Sequence, residues 1–195
     1  ILWHIMKIYS YFGVNDFIIC CGYKGHIIKE FFANYFLYTN DITFHMDEGN
    51  RIETHSEKNE NWKITIIDTG KTSQTAGRVK AVSKYIKGSS FFLTYGDGLA
   101  NINIKALYDH HKKNNKLATL TAVRPPGRFG SLVLDEYNVK NFREKIEGSE
   151  AWINGGFFVL QKEVIDYIKD YESVLEKDVL PILSAEKQLS AFKHG

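Results

Sequence analysis

Apolar positions recur along the chain in two alternating rhythms. Ile1, Ile5, Ile8 and Phe12, joined by Leu2 and Tyr9, are spaced as one face of a helix, and Gly13 stands where such a helix stops. "DFIICCGYKG" is a short apolar run ending at Gly22, and "HIIKEFFANYF" returns to helical spacing. Short buried strands alternating with helices are the pattern of a parallel sheet. "DITFHM" and "WKITIIDTG" predict two more strands, separated by the polar loop "DEGNRIETHSEKNEN". After the loop "KTSQTAG" come a helix in "RVKAVSKYIKG", a strand in "SSFFLTYGDG", a helix in "NIKALYDHHKKNNK" and a strand in "LATLTAVRPP". The basic end of "NIKALYDHHKKNNK" suits the negative end of a helix dipole. "GSLVLDEYNVKNFREK" predicts a hairpin turning near Glu136 to Asn138, and "WINGGFFVLQKEVIDYIKDY" a strand running into a helix. A last helix, "VLEKDVLPILSAEKQL", has Pro181 inside it, and "LSAFKHG" has the character of a strand. No repeat, low-complexity tract or linker interrupts this series, so it predicts one α/β domain carrying a small hairpin insertion.

Composition narrows the class. The 195 residues are 44% hydrophobic and 25% charged, ordinary for a globular protein. Lys and Arg total 25 against 23 acidic residues, a net charge of +2, which argues against a nucleic-acid partner held by a general basic field. Cys20 and Cys21 are neighbours in an apolar run and cannot frame a disulfide scaffold; they fit a core strand in a reducing cytoplasm. No apolar run reaches membrane-spanning length, and no signal-peptide pattern opens the chain. The expectation is a cytoplasmic protein with no membrane partner. The abrupt ends, helical at Ile1 and strand-like at Gly195, predict a segment from inside a longer protein.

Three loops follow the carboxyl ends of predicted strands: "DTGKTSQTAGR", "YGDG" and "VRPPGRFG". In a parallel sheet such ends share one edge, where open α/β sheets bind ligands. Asp97, between Gly96 and Gly98, is either ordinary turn chemistry or a hard oxygen ligand for Mg²⁺, with the glycines letting the backbone approach a ligand and relaxing the torsional demand. Arg78 ends the small-residue loop Thr75-Ala76-Gly77 and begins a helix, where free N–H groups and a guanidinium suit an anion; the alternative is a surface Arg. Arg128 shares that ambiguity. His110 and His111, followed by Lys112 and Lys113, are expected on a solvated helix face, with no metal-ligand spacing. Glu144, Lys145, Asn154, Gly155 and the nearby Trp152 supply the acceptors, donors and aromatic face that hold a sugar. They fit equally a salt-bridged hairpin end and a glycine bulge.

Together "ILWHIMKIYS", "DFIICCGYKG", "IKEFFANYF", "DTG", "TYGDG", "KLATLTAVRPPGRFG" and "WINGGFFVL" resemble the glucose-1-phosphate cytidylyltransferase (CDP-glucose pyrophosphorylase) family of sugar nucleotidyltransferases, in unbroken order from Ile1 to about Lys193. The resemblance implies a Rossmann-like nucleotidyltransferase fold, with a mostly parallel sheet between helices and residues 1–195 as a single nucleotidyltransferase domain incomplete at both ends. It implies a reaction of CTP with α-D-glucose 1-phosphate, giving CDP-glucose and pyrophosphate for dideoxysugar and O-antigen synthesis, and a homo-oligomer as the working form. By the same likeness Asp97 is a Mg²⁺ ligand, Gly96 lies against the nucleotide or sugar, Ser73 and Arg78 contact the nucleotide, and Glu144, Lys145, Asn154 and Gly155 hold the hexose 1-phosphate. Ala76 stands where the family has Gly, and Ile146 where it has Pro. The family's glycine-rich triphosphate loop and phosphate-activating Lys would precede Ile1, and its second metal Asp would follow Gly195. The expectation is therefore that this segment alone is inactive. Two other classes stay open: a metal-dependent glycosyltransferase, although Tyr95 and Leu99 flank Asp97 where a D-x-D pair would need a second carboxylate, and a truncated, non-catalytic relative that binds a sugar nucleotide.

Overall fold

A computed structural model describes residues 1–55, 59–124, 131–135, 138–143 and 152–195, the segments 131–135 and 138–143 as backbone alone. The described chain divides into two compact units. One comprises Trp3–Lys87 and Ile165–Pro181; the other comprises Ile1–Leu2, Gly88–Val164 and Ile182–Gly195.

The first unit opens with α1 (Leu2–Tyr11), whose buried Ile5, Met6 and Tyr9 follow the helical spacing of the sequence. Gly13 closes it at φ 84°, a left-handed turn that glycine takes without steric cost. β1 (Asp16–Cys21) pairs in parallel with β4 (Lys63–Asp68), in register from Asp16 opposite Lys63 to Cys21 opposite Asp68. Between them lie α2 (Gly25–Ala33), α3 (Tyr35–Thr39) and an antiparallel hairpin of β2 (Ile42–His45) with β3 (Arg51–Thr54). The single helix expected from His26 to Phe36 is thus broken at Asn34. β3 falls in what the sequence predicts as loop; all four of its residues are exposed, so no buried face marks it. Trp62 anchors an aromatic cluster with Trp3, Phe17 and Tyr35, and the Trp3 indole donates to the Tyr35 hydroxyl at 2.7 Å. Cys20 and Cys21 are free thiols, as expected, and burial pushes Cys20 up to about 11.

α4 (Thr75–Ala81) packs its small-residue start against the segment after Ile165. The amides of Ala76 and Gly77 both donate to the Ser173 carbonyl at 3.1 Å. A side chain on Gly77 would meet the Tyr171 carbonyl oxygen at 2.2 Å, so the close approach requires glycine. The expected helix after β9 is a 3₁₀ turn, Lys162–Tyr167. The last helix is divided into a π turn, Leu175–Val179, and α6 (Leu180–Ala185), with Pro181 just past the junction of the two.

In the second unit four strands run in the order β10-β6-β9-β5: β5 (Ser90–Thr94), β6 (Ala118–Val123), β9 (Ile153–Gln161) and β10 (Leu189–His194). β10 is parallel to β6, while β9 is antiparallel to both β5 and β6. The sheet is accordingly mixed. β5 and β6 still point the same way, joined through α5 (Ile104–Asn114), and β9 lies between them. Ahead of β9, β7 (Ser131–Asp135) and β8 (Asn138–Arg143) form the predicted hairpin. Phe157, Phe158, Val159 and Leu160 fill the core. Asn103 caps α5, its side chain accepting from the Ala106 amide at 2.9 Å.

His111 corrects the expectation of a solvated face. Ile104, Leu107 and His111, three and four positions apart, form the buried stripe of α5. The His111 ring lies 2.9 Å from Thr119 Oγ1 through Nδ1 and 3.0 Å from Gln161 Nε2 through Nε2. Thr119 in turn meets Ser190 Oγ at 2.7 Å, so one polar chain links α5, β9, β6 and β10. Burial, ahead of the neighbouring Lys112 and His110 charges, holds His111 below the usual histidine range.

Candidate functional site

The strand directions determine which ends meet. Because β9 runs against β5 and β6, its start lies at the edge where β5 and β6 finish: Phe157 is opposite Thr94, and Ile153 opposite Val123. That edge carries the turn Tyr95-Gly96-Asp97 and the segment Asn154-Gly155-Gly156. The Tyr95 amide donates to the Gly156 carbonyl at 3.3 Å, which ties the two together. Four predicted residues, Gly96, Asp97, Asn154 and Gly155, are thereby gathered at one edge.

The glycines there have different reasons. Gly155 sits in a register shift opposite Leu120 and Ala122; a Cβ on it would meet Val123 Cγ1 at 2.8 Å and the Thr121 carbonyl at 3.2 Å. Gly156 has φ 77°, and its amide donates to Asn154 Oδ1 at 2.9 Å. The glycine bulge is present, and it leaves the Asn154 side chain exposed at the start of the strand. Gly96 and Gly98 are unlike them. Neither has a positive φ, and a Cβ on either would project into open space. The torsional relief expected around Asp97 is therefore absent, and what these glycines leave is room beside an exposed carboxylate.

Asp97 is one carboxylate on an open turn. Among the described residues no group of three or more His, Cys, Asp or Glu side chains is placed to hold a metal ion. In phosphate chemistry Mg²⁺ takes one or two carboxylates and completes its shell with phosphate oxygens and water, which a single exposed Asp fits.

The loop after β4 belongs to the other unit. Here the helix begins earlier than its sequence reading has it: α4 starts at Thr75, so Arg78 is its fourth residue, and its guanidinium is engaged by acceptors that precede the helix. Its Nη1 donates to the Cys21 carbonyl at 3.1 Å, to Thr69 Oγ1 at 2.6 Å and to the Gly70 carbonyl at 3.2 Å. Three acceptors from the ends of β1 and β4 are joined by one guanidinium. Ser73 is likewise turned inward, its hydroxyl donating to the Thr69 carbonyl. Gly70, at φ 95°, leaves its Cβ position 3.0 Å from Ser73 Oγ. Both side chains thus hold the loop in shape. Trp152 is exposed, with the Arg124 guanidinium 4.6 Å and the Lys193 ammonium 5.4 Å from its ring centre. Sequence reasoning missed both cations; Arg124 directly follows β6, inside the quoted loop "VRPPGRFG" but not singled out there, and Lys193 lies in β10 outside any motif. Glu144, Lys145 and Arg128 lie outside the described residues.

An α/β sheet with a carboxylate turn and a glycine bulge at one edge is the frame of a nucleotide-handling enzyme. The nucleotidyl transferase family profile matches residues 9–193, and the chain belongs to that family. It is 54% identical over 195 residues to glucose-1-phosphate cytidylyltransferase of Salmonella typhi and 43% identical over 195 residues to the probable glucose-1-phosphate cytidylyltransferase of Bacillus subtilis (strain 168). In each case it covers all of this chain and 76% of the relative. Among solved structures, HddC from Yersinia pseudotuberculosis shares the fold with a TM-score of 0.65 at 23% identity, covering 98% of this chain and 75% of that one. Among the described residues no helix is long and apolar enough to cross a membrane.

Proposed function

We propose that the protein transfers the cytidylyl group of CTP to α-D-glucose 1-phosphate, giving CDP-glucose and pyrophosphate. The observation that carries this reading is the 54% identity to the Salmonella typhi cytidylyltransferase along the whole chain. The sheet edge supports it with chemistry suited to phosphoryl transfer.

No protein nucleophile is required. A phosphate oxygen of the sugar phosphate attacks the α-phosphorus of CTP in line; the new P–O bond forms as the bond to the β-phosphate oxygen breaks, and pyrophosphate leaves with the electron pair. The protein contributes positioning and charge neutralisation. Asp97 would hold Mg²⁺, which when bound offsets phosphate charge. Gly96 keeps the space beside it clear for the reacting group. Asn154, its Oδ1 held by the Gly156 amide, presents its side-chain nitrogen as a donor to sugar hydroxyls; Glu144 and Lys145 join it by the family likeness. Ser73 and Arg78 serve the nucleotide by fixing the loop that follows β4. We further propose that the working form is a cytoplasmic homo-oligomer.

The test is incubation of the protein with CTP, glucose 1-phosphate and Mg²⁺, following CDP-glucose by chromatography and pyrophosphate by a coupled assay, with UTP and GTP in parallel. CDP-glucose with stoichiometric pyrophosphate is the expected result. A preference for UTP or GTP, or release of free phosphate in place of pyrophosphate, would overturn it.

A further inference from the structure

At the carboxyl ends of β1 and β4 lies a cavity of about 500 Å³ within the first unit. Its volume is in the ~300–1,000 Å³ range of small-molecule sites. Its charged side chains are mostly cationic: Lys24, Lys29 and Lys71 stand with a single carboxylate, Asp68, beside His26, Tyr23 and Cys21. The Oδ1 of Asp68 already accepts from the Gly70 amide at 2.9 Å. None of the three ammonium groups forms an ion pair with another described residue. Like charges brought together at one cleft repel, and their field attracts and concentrates anions.

The arrangement is also held in place. Lys24 and Lys71 stand 5.5 and 5.7 Å from the centre of the Tyr23 ring, so one exposed aromatic ring orients two of the cations. Lys24 has φ 58° and ψ 24°, a left-handed conformation that lysine seldom adopts. It directly precedes α2, whose first turn has no side-chain cap, so the positive end of that helix is not offset by a capping side chain. Glycines keep the backbone close: a Cβ on Gly25 would meet Cys21 Cβ at 2.8 Å, and one on Gly22 would meet the Arg78 guanidinium at 2.9 Å.

We propose that this cavity binds a diphosphate group through Lys24, Lys29 and Lys71, with Tyr23 as the residue that positions two of them. Three ammonium groups match the charge of a diphosphate better than that of a single phosphate. The diphosphate has two sources, free pyrophosphate or the polyphosphate of a nucleotide. None of these four residues is assigned a part in the reaction above, although Lys71 lies in the loop that Ser73 and Arg78 hold, and the site stands on the cavity without that assignment.

The experiment is calorimetric titration of the protein with pyrophosphate, CTP and CMP at low ionic strength. The wild type is compared with the triple variant Lys24→Gln/Lys29→Gln/Lys71→Gln and with a control, Lys113→Gln, which removes an exposed lysine of α5 in the other unit. All three cavity lysines are exposed, so the triple variant is expected to fold, and circular dichroism checks this; Lys71→Gln alone serves if it does not. Pyrophosphate affinity should fall about tenfold or more in the triple variant and stay unchanged in the control. An equal loss for CTP assigns the site to the nucleotide's polyphosphate; a loss for pyrophosphate alone assigns it to the free ion. Unchanged pyrophosphate affinity in the triple variant, an equal loss in the control, or no pyrophosphate binding by the wild type would each overturn the site. Failure to make CDP-glucose with cavity binding intact would sink the reaction and leave this site standing.

Discussion

The hydroxyl of Thr69 donates to the Cys21 carbonyl at 2.9 Å and accepts from Arg78 Nη1 at 2.6 Å. Thr69 is thus the middle link between the end of β1 and the helix that follows β4. Since the same Nη1 also reaches the Cys21 and Gly70 carbonyls, Arg78→Lys should lose the fork and leave acceptors unpaired. We expect a fall in unfolding stability of about 1–3 kcal/mol, measured by denaturant titration. A raised KM for CTP with an unmoved unfolding midpoint would instead make Arg78 a nucleotide contact with no part in holding the loop.

Asp97 tests the reverse combination. It is exposed on a turn whose glycines neighbour open space, so Asp97→Asn should leave the melting temperature unchanged. Pyrophosphate release from CTP and glucose 1-phosphate should drop by about two orders of magnitude or more, since the amide cannot hold the cation that screens the phosphates. Wild-type turnover in this variant would reduce Asp97 to a turn residue.

Two glycine-to-alanine changes should separate packing from open space. Gly77→Ala drives a methyl group into the Tyr171 backbone, with carbonyl oxygen and carbon at 2.2 and 2.4 Å. Neither neighbour is the flexible end of a side chain, and a loss of about 3 kcal/mol follows. Gly96→Ala meets nothing within 4 Å and should fold as the wild type does. Equal melting temperatures for the two variants would contradict the packing at Tyr171.

His111 makes stability depend on pH. In the folded state the Gln161 amide faces Nε2, which leaves the ring proton on Nδ1 toward Thr119. A second proton at Nε2 would confront a donor in a buried place. The folded state therefore disfavours the charged ring, whereas the unfolded chain takes up the proton near the ordinary value of about 6.5. Stability is unaffected by this group well above that value and falls as pH drops below it, by at most about 1.4 kcal/mol per pH unit. Comparing melting temperatures from pH 7.5 to 5 for the wild type and His111→Gln isolates the effect; parallel curves would refute it.

What the sequence disclosed, and what it concealed, follows from how each feature is encoded. β1, β4, β5 and β6 are apolar runs closed by Gly, Pro or Asp-Gly, and β9 is one opened by Asn-Gly-Gly, so local pattern alone finds them. β3 is exposed at every position from Arg51 to Thr54 and exists through backbone pairing with β2, which leaves no hydrophobic trace. The direction of β9 was available by a subtler argument: the sequence shows no helical spacing between β6 and β9, and a parallel pairing needs a crossover. His111 was concealed by its neighbours His110, Lys112 and Lys113, although its distance from Ile104 and Leu107 places it on the apolar stripe. The start of α4 depends on Tyr171 and Ser173, about a hundred positions away, and no local signal reports that. At the candidate site Asp97, Asn154 and Gly155 were legible because glycines mark them. The inward turn of Arg78 and Ser73 was not, because their partners are carbonyl oxygens, which every residue possesses.

The antiparallel entry of β9 divides this protein's freedom to change. The chain enters β9 at the edge that carries Asp97 and then passes through Phe157–Leu160, which is wholly buried. A change at the exposed Ile153 or Asn154 acts at that edge, whereas any change of volume four residues after Ile153 disturbs the core. Acceptor preference can therefore drift among descendants of this fold through the exposed start of β9, while the buried stretch behind it stays fixed. Selection for a new sugar would be expected to write its record there first.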